Sequence, residues 1–519
     1  MKQKRSNNLS FFFMVLCTIV GFSQTKEAII TIENNEDAPI ISKHIYGHFA
    51  EHLGRSIYDG LYVGEDSKIP NTNGVRNDLI EALKGIQIPN LRWPGGCFAD
   101  TYHWKDGIGP KEDRPSMVNR WWGGVVEDNS FGTHDFLNLC EKLGAEPYLA
   151  ANVGSSTVQE FTEYVEYVMH KGGSPMADLR KEHGREKPWN VKYWGVGNEM
   201  WGCGGNMTPE YYANIYRQYA TFMTDWSNSD GIYRIASGAN VDDYHWTEVL
   251  MRDIPKSLIE GVALHSYSVI DWNDKGPAVD FTEDLYFKTM KSALFMEELV
   301  TKHTAIMDKY DPEGQIDLIV DEWGGWYDVE EGTNPGFLYQ QNTMRDAMIA
   351  GTSLNIFNNH SKRVKMANLA QTVNVLQAVA LTEGEKMLLT PTYFVLKMYN
   401  VHHDAQLIPL KLNTPNYSFN GENLPAISAS ASKNKEGVIH ISLVNIDANK
   451  ENTVRINVAD SNLKKVSATI LSSKALQDHN SFESPKNIVP KEFTNFKLKK
   501  GTLEITIPAF SVVVLEGKK

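Results

Sequence analysis

Eight short, β-rich apolar runs recur between residues 45 and 369 with helix-like amphipathic stretches between them, and this alternation leaves few folds open. The runs span residues 45–49, 88–93, 147–153, 191–197, 235–239, 261–265, 316–320 and 364–369. Helical periodicity marks residues 133–143, 210–226, 282–310 and 336–357. Repeated strand-then-helix units build a parallel sheet, because a parallel neighbour is reached only through a crossover. Eight units over about 350 residues fit a closed (β/α)8 barrel with long loops better than an open doubly wound sheet. No Gly-rich phosphate loop follows any run, which counts against a nucleotide-binding sheet. The barrel is expected over residues 41–389.

From residue 390 the texture changes to short alternating segments at 426–432, 438–445, 452–458, 465–471 and 502–515, broken by Asn, Gly, Ser and Pro. An all-β sandwich over 390–519 is the expectation. Residues 26–33 alternate in the same way, so a strand within 25–40 is expected to join that sandwich. The fold class is therefore α/β: a TIM barrel followed by a C-terminal all-β sandwich.

Residues 1–24 read as a signal peptide. Lys2, Lys4 and Arg5 precede an apolar stretch at 11–22, and Ser23-Gln24 offers a cleavage neighbourhood. The apolar stretch is shorter than the ~20 residues a membrane span requires. An exported protein, periplasmic or secreted and without a membrane partner, is the expectation.

With 42% apolar residues the chain can bury a large core, and its formal charge of −13 without any long Lys/Arg cluster argues against a nucleic-acid partner. Twelve Trp and twenty-two Tyr supply flat faces that suit stacking on sugars, although most serve the core. Beyond Cys17 in the leader, Cys97, Cys140 and Cys203 allow one disulfide but show no metal-type spacing. No metal site is expected.

Two carboxylates stand out. Glu199 closes the fourth run in Val191-Lys-Tyr-Trp-Gly-Val-Gly-Asn-Glu199, and Glu322 closes the seventh in Ile316-Asp-Leu-Ile-Val-Asp-Glu-Trp323. Charge at the end of a buried strand is costly unless it is paired or does chemistry. Barrel enzymes carry their reacting groups at the C-terminal ends of strands, so these two are expected to meet across the barrel mouth. A pair of carboxyl groups facing across a sugar is the general means of cleaving a glycosidic bond. Asn198, just before Glu199, can offer its amide to a sugar hydroxyl or cap the following turn.

Asn-Glu after strand four and Glu after strand seven resemble the clan A glycoside hydrolases, and longer stretches resemble family 51, the α-L-arabinofuranosidases. These are Tyr46-Gly-His-Phe-Ala-Glu-His-Leu-Gly-Arg55, Arg92-Trp-Pro-Gly-Gly-Cys-Phe98, Tyr102-His-Trp-Lys-Asp-Gly-Ile-Gly-Pro110, Trp194-Gly-Val-Gly-Asn-Glu199, Asp321-Glu-Trp323 and Met366-Ala-Asn-Leu-Ala-Gln-Thr-Val-Asn374. The resemblance implies that Glu199 is the general acid/base and Glu322 the nucleophile of a retaining double displacement, with carboxyls ~5 Å apart. It implies sugar contacts from Glu51, Asn198 and Gln371, and a Tyr267 that steers the nucleophile. From the residues alone, Glu51 is equally suited to pair with Arg55 or Arg92. Many family members place Asn where this chain has Cys97, whose thiol is a weak hydrogen-bonding substitute. No base stands beside Cys97 in sequence to make it a nucleophile. Trp121 and Trp122 fall where an aromatic lines the subsite; the residues do not choose between them, and Trp122 is the expected contact.

The expected activity is exo-acting release of terminal arabinofuranosyl groups from arabinan, arabinoxylan or derived oligosaccharides, with no cofactor. The resemblance implies a homo-oligomer. An endo-β-glucanase or β-xylosidase on the same framework is the enzymatic alternative, and a carbohydrate-binding protein the non-enzymatic one. The segments 105–132 and 269–284 decide between exo and endo action, since loops that wall the cleft make a pocket.

Overall fold

The computed structural model describes residues 27–33, 35–227, 231–458 and 463–518; the segment read as a signal peptide lies outside them. Its centre is a closed barrel of eight parallel strands: β1 (Gly47–Phe49), β2 (Asn90–Trp93), β3 (Glu146–Ala151), β4 (Tyr193–Val196), β5 (Tyr233–Asn240), β6 (Gly261–Ser268), β7 (Asp317–Gly325) and β8 (Val364–Ala370). β1 closes the ring between β8 and β2. Strands buried on both faces read as continuous apolar runs, and β2 and β4 are buried at every residue. Tyr148, Tyr193, Ile235, Ala263, Ile319 and Met366 form one buried cluster drawn from six consecutive strands, which fills the barrel.

Several boundaries differ from the sequence reading. Residues 45 and 46 belong to a 3-10 turn (Lys43–Tyr46), and the strand starts at Gly47. β7 continues to Gly325, so Glu322 lies inside the strand rather than at its end, because Trp323 still pairs with β8 and Gly324 and Gly325 with β6. The helix expected from 336 begins at Met344, where Thr343 and Asp346 form a capping box. Residues 502–515 are two strands, Thr502–Ile507 and Ser511–Lys518, parted at Pro508, which has no N–H for a ladder. The all-β part begins at Gln406 rather than 390, since Pro391–Tyr399 is a helix packed on Met344–Asn359.

The sandwich has two sheets. In the first, Ala28–Ile32 pairs with Leu410–Asn413 and Asn452–Asn457; the second is centred on Ile439–Asn445 and Ser511–Lys518. Ala28, Ile30, Ile441, Leu443, Ile456, Ile505, Val513 and Leu515 meet between them. The helix Met344–Asn359, almost wholly buried, joins barrel to sandwich through polar contacts as well as apolar ones. Asn358 accepts from the Tyr46 hydroxyl at 2.8 Å and donates to Ser430 at 3.1 Å, and Ser430 donates to Asn355 at 2.8 Å. These contacts tie the barrel to the sandwich. Among the described residues no helix is long and apolar enough to cross a membrane.

Candidate active site

The barrel brings Glu199 and Glu322 together although 123 residues separate them in sequence. One carboxylate oxygen of each and a ring nitrogen of His265 all lie within 4.8 Å of one another. Glu199 sits three residues past β4 with φ at +43°, and its carbonyl accepts from Gly202 at 2.7 Å and Gly204 at 3.2 Å. That tight turn aims its side chain back over the barrel mouth.

Each carboxyl has its own partners. Glu322 Oε1 accepts from Arg92 Nη1 at 2.9 Å, and Oε2 from the Tyr267 hydroxyl at 2.6 Å. Glu199 Oε1 meets His265 Nδ1 at 3.0 Å. Burial pushes the Glu199 carboxyl up and the negative charge of Glu322 adds to this, while the hydrogen bond from His265 opposes it. His265 is held protonated: burial disfavours its charge, but Glu322, Asp321 and Glu199 outweigh burial and raise its pKa to about 10.

Arg92, only 1% exposed, ties the floor together. Beyond Glu322 it donates to Asn198 Oδ1 at 2.6 Å and lies 3.6 Å from Asp321. Asp321 in turn accepts from Tyr148 at 2.8 Å and Asn368 at 2.7 Å. Burial opposes ionisation of Asp321, but Arg92 and then His265 hold its pKa below the usual range. Asn198 does not cap a turn with its side chain; its backbone N–H donates to the buried Asp100 at 2.9 Å.

Glu51 pairs with neither Arg55 nor Arg92. Its Oε1 accepts from the N–H groups of Gly96 and Phe98 at 3.0 and 3.1 Å and from Trp122 Nε1 at 2.9 Å; Oε2 accepts from Gln371 at 2.8 Å. Burial and the nearby Glu322 raise its pKa to about 7 against these four donors. Trp122 is thus the tryptophan that reaches the site, while Trp121 lies beside Arg120. Trp122, Tyr267, Trp326 and Leu338 pack around Leu53, Val375 and Leu376 as an apolar wall.

Cys97 is not a free thiol. It is bonded to Cys203, and the two sulfurs lie 3.9 and 3.5 Å from Glu199 Oε2. The expected sugar contact by a Cys97 thiol is therefore replaced by a disulfide beside Glu199. Cys140 is buried and free.

Sequence reasoning passed over Arg92, His265 and Asp321 as site residues, although Arg92 and Asp321 stand in motifs it quoted and His265 ends the sixth apolar run. The signal was present: a polar residue within a run otherwise buried on both faces requires partners.

A closed (β/α)8 barrel with two carboxylates facing across its C-terminal mouth is the framework of a glycoside hydrolase. Comparison with known proteins narrows the class. The family model described as the alpha-L-arabinofuranosidase 1 domain matches residues 82–275, and that of the alpha-L-arabinofuranosidase C-terminal domain matches 321–511. A Bacteroides ovatus protein named intracellular exo-alpha-L-arabinofuranosidase is 52% identical over 96% of this chain and 98% of its own. An Acetivibrio thermocellus protein named intracellular exo-alpha-(1->5)-L-arabinofuranosidase is 33% identical over 68% of this chain and 71% of its own. The crystal structure of the GH51 arabinofuranosidase from Xanthomonas axonopodis pv. citri superposes with a TM-score of 0.93 at 45% identity, covering 95% of this chain and all of that one. The chain belongs to glycoside hydrolase family 51, and it is a hydrolase of α-L-arabinofuranosides.

One expectation is overturned. The N-terminal segment suggests export, whereas the Bacteroides ovatus relative, matched over nearly its whole length, carries the name intracellular. A basic, then apolar, N-terminus resembles a leader by composition alone, and composition is the weaker sign here.

Proposed function

We propose that the protein is an exo-acting, retaining α-L-arabinofuranosidase that removes terminal non-reducing arabinofuranosyl groups from oligosaccharides of arabinan or arabinoxylan. The observation that carries this reading is the approach of Glu199 and Glu322 to within 4.8 Å, since retaining enzymes hold their carboxyls ~5–5.5 Å apart and inverting ones leave room for a water.

Glu322 is the nucleophile. Arg92 and Tyr267 each hold one of its oxygens, which fixes its aim. Glu199 gives its proton to the leaving oxygen as Glu322 bonds to the anomeric carbon, forming an arabinosyl ester. Glu199, now a carboxylate, takes a proton from water, which attacks the same carbon and releases arabinose with its configuration kept. Glu51, held rigid by four donors, and Asn198 bind sugar hydroxyls. The wall of Trp122, Tyr267, Trp326 and Leu338 favours a pocket over an open cleft and hence exo action. Relatives named intracellular favour short oligosaccharides over intact polymer as the substrate.

Nuclear magnetic resonance of the first arabinose released from a methyl or 4-nitrophenyl α-L-arabinofuranoside tests the reading. The α anomer is expected before mutarotation, with activity abolished in Glu322→Ala. The β anomer as first product, or an active Glu322→Ala, sinks it.

A further inference from the structure

Glu199 Oε1 is engaged by His265, so the proton this carboxyl must deliver belongs on Oε2. Beside Oε2 stand the two sulfurs of the Cys97–Cys203 bond, at 3.9 and 3.5 Å. A disulfide sulfur carries no hydrogen and cannot donate; a thiol can, weakly. The bond also joins two loops that each hold part of the site. Cys97 lies between Gly96 and Phe98, whose N–H groups bind Glu51, and Cys203 lies between Gly202 and Gly204, whose N–H groups bind the Glu199 carbonyl.

We propose that the Cys97–Cys203 disulfide is a positioning element for Glu199, and that its reduction narrows the pH range over which Glu199 acts as an acid. This rests on the assignment of Glu199 as the acid/base. A dithiol reductant gives two hydrogens to the pair and leaves as its own disulfide, so that two S–H groups replace one S–S bond beside Oε2. A donor at a carboxylate stabilises the charged form, so Glu199 loses its proton at lower pH. The reducing interior of cells keeps thiols open and oxidising compartments close them, so the state of this pair follows the surroundings of the enzyme.

The test compares the full chain, oxidised and after reduction with a phosphine or dithiol, as kcat/KM against pH. Two substrates are used: arabinobiose, whose leaving group needs the acid, and 4-nitrophenyl α-L-arabinofuranoside, which needs it less. Reduction is expected to free two thiols and to move the basic limb for arabinobiose down by about half a pH unit, roughly a threefold loss at a fixed pH on that limb. Reoxidation should restore it. The Cys97→Ser/Cys203→Ser variant, whose hydroxyls also donate, should show the lowered limb whether reductant is present or not. A limb that stays in place with two thiols freed, a uniform loss on both substrates at every pH, or no reducible pair at all would each overturn the proposal. Glu199→Ala is measured alongside. If it does not lose arabinobiose selectively, the acid assignment fails; if it does and the limb is unmoved by reduction, only the role of the disulfide fails.

Discussion

The hydroxyl of Tyr267 donates to Oε2 of Glu322 at 2.6 Å, from a ring that also stands edge-on to Trp326 with centroids 5.0 Å apart. The bond therefore has a fixed direction, set by the packing of the ring. A hydrogen bond to a charged acceptor contributes about 1.5–3 kcal/mol, which corresponds to roughly 10- to 150-fold in rate where it is needed in the transition state. Tyr267→Phe keeps the ring and removes the donor. We expect kcat on 4-nitrophenyl α-L-arabinofuranoside to fall by that factor with KM changed little, and steady-state kinetics check it. An unchanged kcat would show that Arg92 alone suffices to aim Glu322.

Arg92 serves Glu322 and Asn198 at once and lies close to Asp321, which makes it the least replaceable cation of the site. Lysine in its place brings one point charge where a planar fork now reaches several acceptors. Breaking a buried pair leaves uncompensated charge and costs about 3–5 kcal/mol. Arg92→Lys is expected to lower both kcat/KM, by about 100-fold or more, and the unfolding midpoint in urea. A variant that lost activity but kept its full stability would contradict the structural half of this expectation.

Away from the reacting carboxyls, His44, His48, His402 and His403 are neutral because burial lowers their pKa values to about 4, 3, 3 and 4. His402 illustrates the arrangement, bridging Ser432 at 2.7 Å and Ser442 at 2.6 Å without exposure. In the unfolded chain such a group takes a proton below its ordinary pKa of about 6.5. Its contribution is fully present above that pH and is lost as pH falls toward the folded value. Glu51 and Asp100, raised by burial to about 7, act in the opposite sense, adding stability below their unfolded pKa values and losing it as pH rises toward 7. A single-residue comparison separates the two. Urea unfolding at several pH values between 6.5 and 4.5 should show His402→Asn less stable at neutral pH but with a shallower decline on acidification, by about 1.4 kcal/mol per pH unit. Parallel curves for parent and variant would mean that His402 is not neutral in the fold.

The eight barrel strands were legible because strands buried on both faces leave continuous apolar runs, and the two glutamates because each is a charge at the end of such a run in the sequence. What the sequence left open was decided by contacts made only when the ring closes. Glu51 had two cationic candidates and took neither, since backbone N–H groups of the 96–98 turn, Trp122 and Gln371 converge on it from β2 and β8 loops. The Cys97–Cys203 bond spans 106 residues, and no local pattern distinguishes it from the other pairings of three cysteines. β7 runs to Gly325, five residues past the end of the apolar run at residue 320, an extension hidden in the sequence because Trp-Gly-Gly looks like a loop until its pairing with β6 and β8 is seen. The leader-like N-terminus shows the opposite failure, a compositional sign taken for an address.

Gly96 offers the sharpest test of how closely the site is fitted. A Cβ built there would lie 2.9 Å from Glu322 Oε1, 3.4 Å from the Phe49 ring and 3.5 Å from Asn198 Nδ2. Nothing flexible can yield, since Arg92 and Tyr267 hold Glu322 from the other sides. The backbone of Gly96 is not in the left-handed region, so alanine is tolerated conformationally and the cost falls on the carboxylate. Displacing a reacting group by a fraction of an ångström to one ångström lowers rates by up to about 100-fold. Gly96→Ala is therefore expected to lose on the order of 10- to 100-fold in kcat while the thermal midpoint stays close to that of the parent, as read by calorimetry beside steady-state kinetics. Full activity in this variant would mean that Glu322 moves freely during turnover and that its hydrogen-bonded pose is not the one from which it attacks.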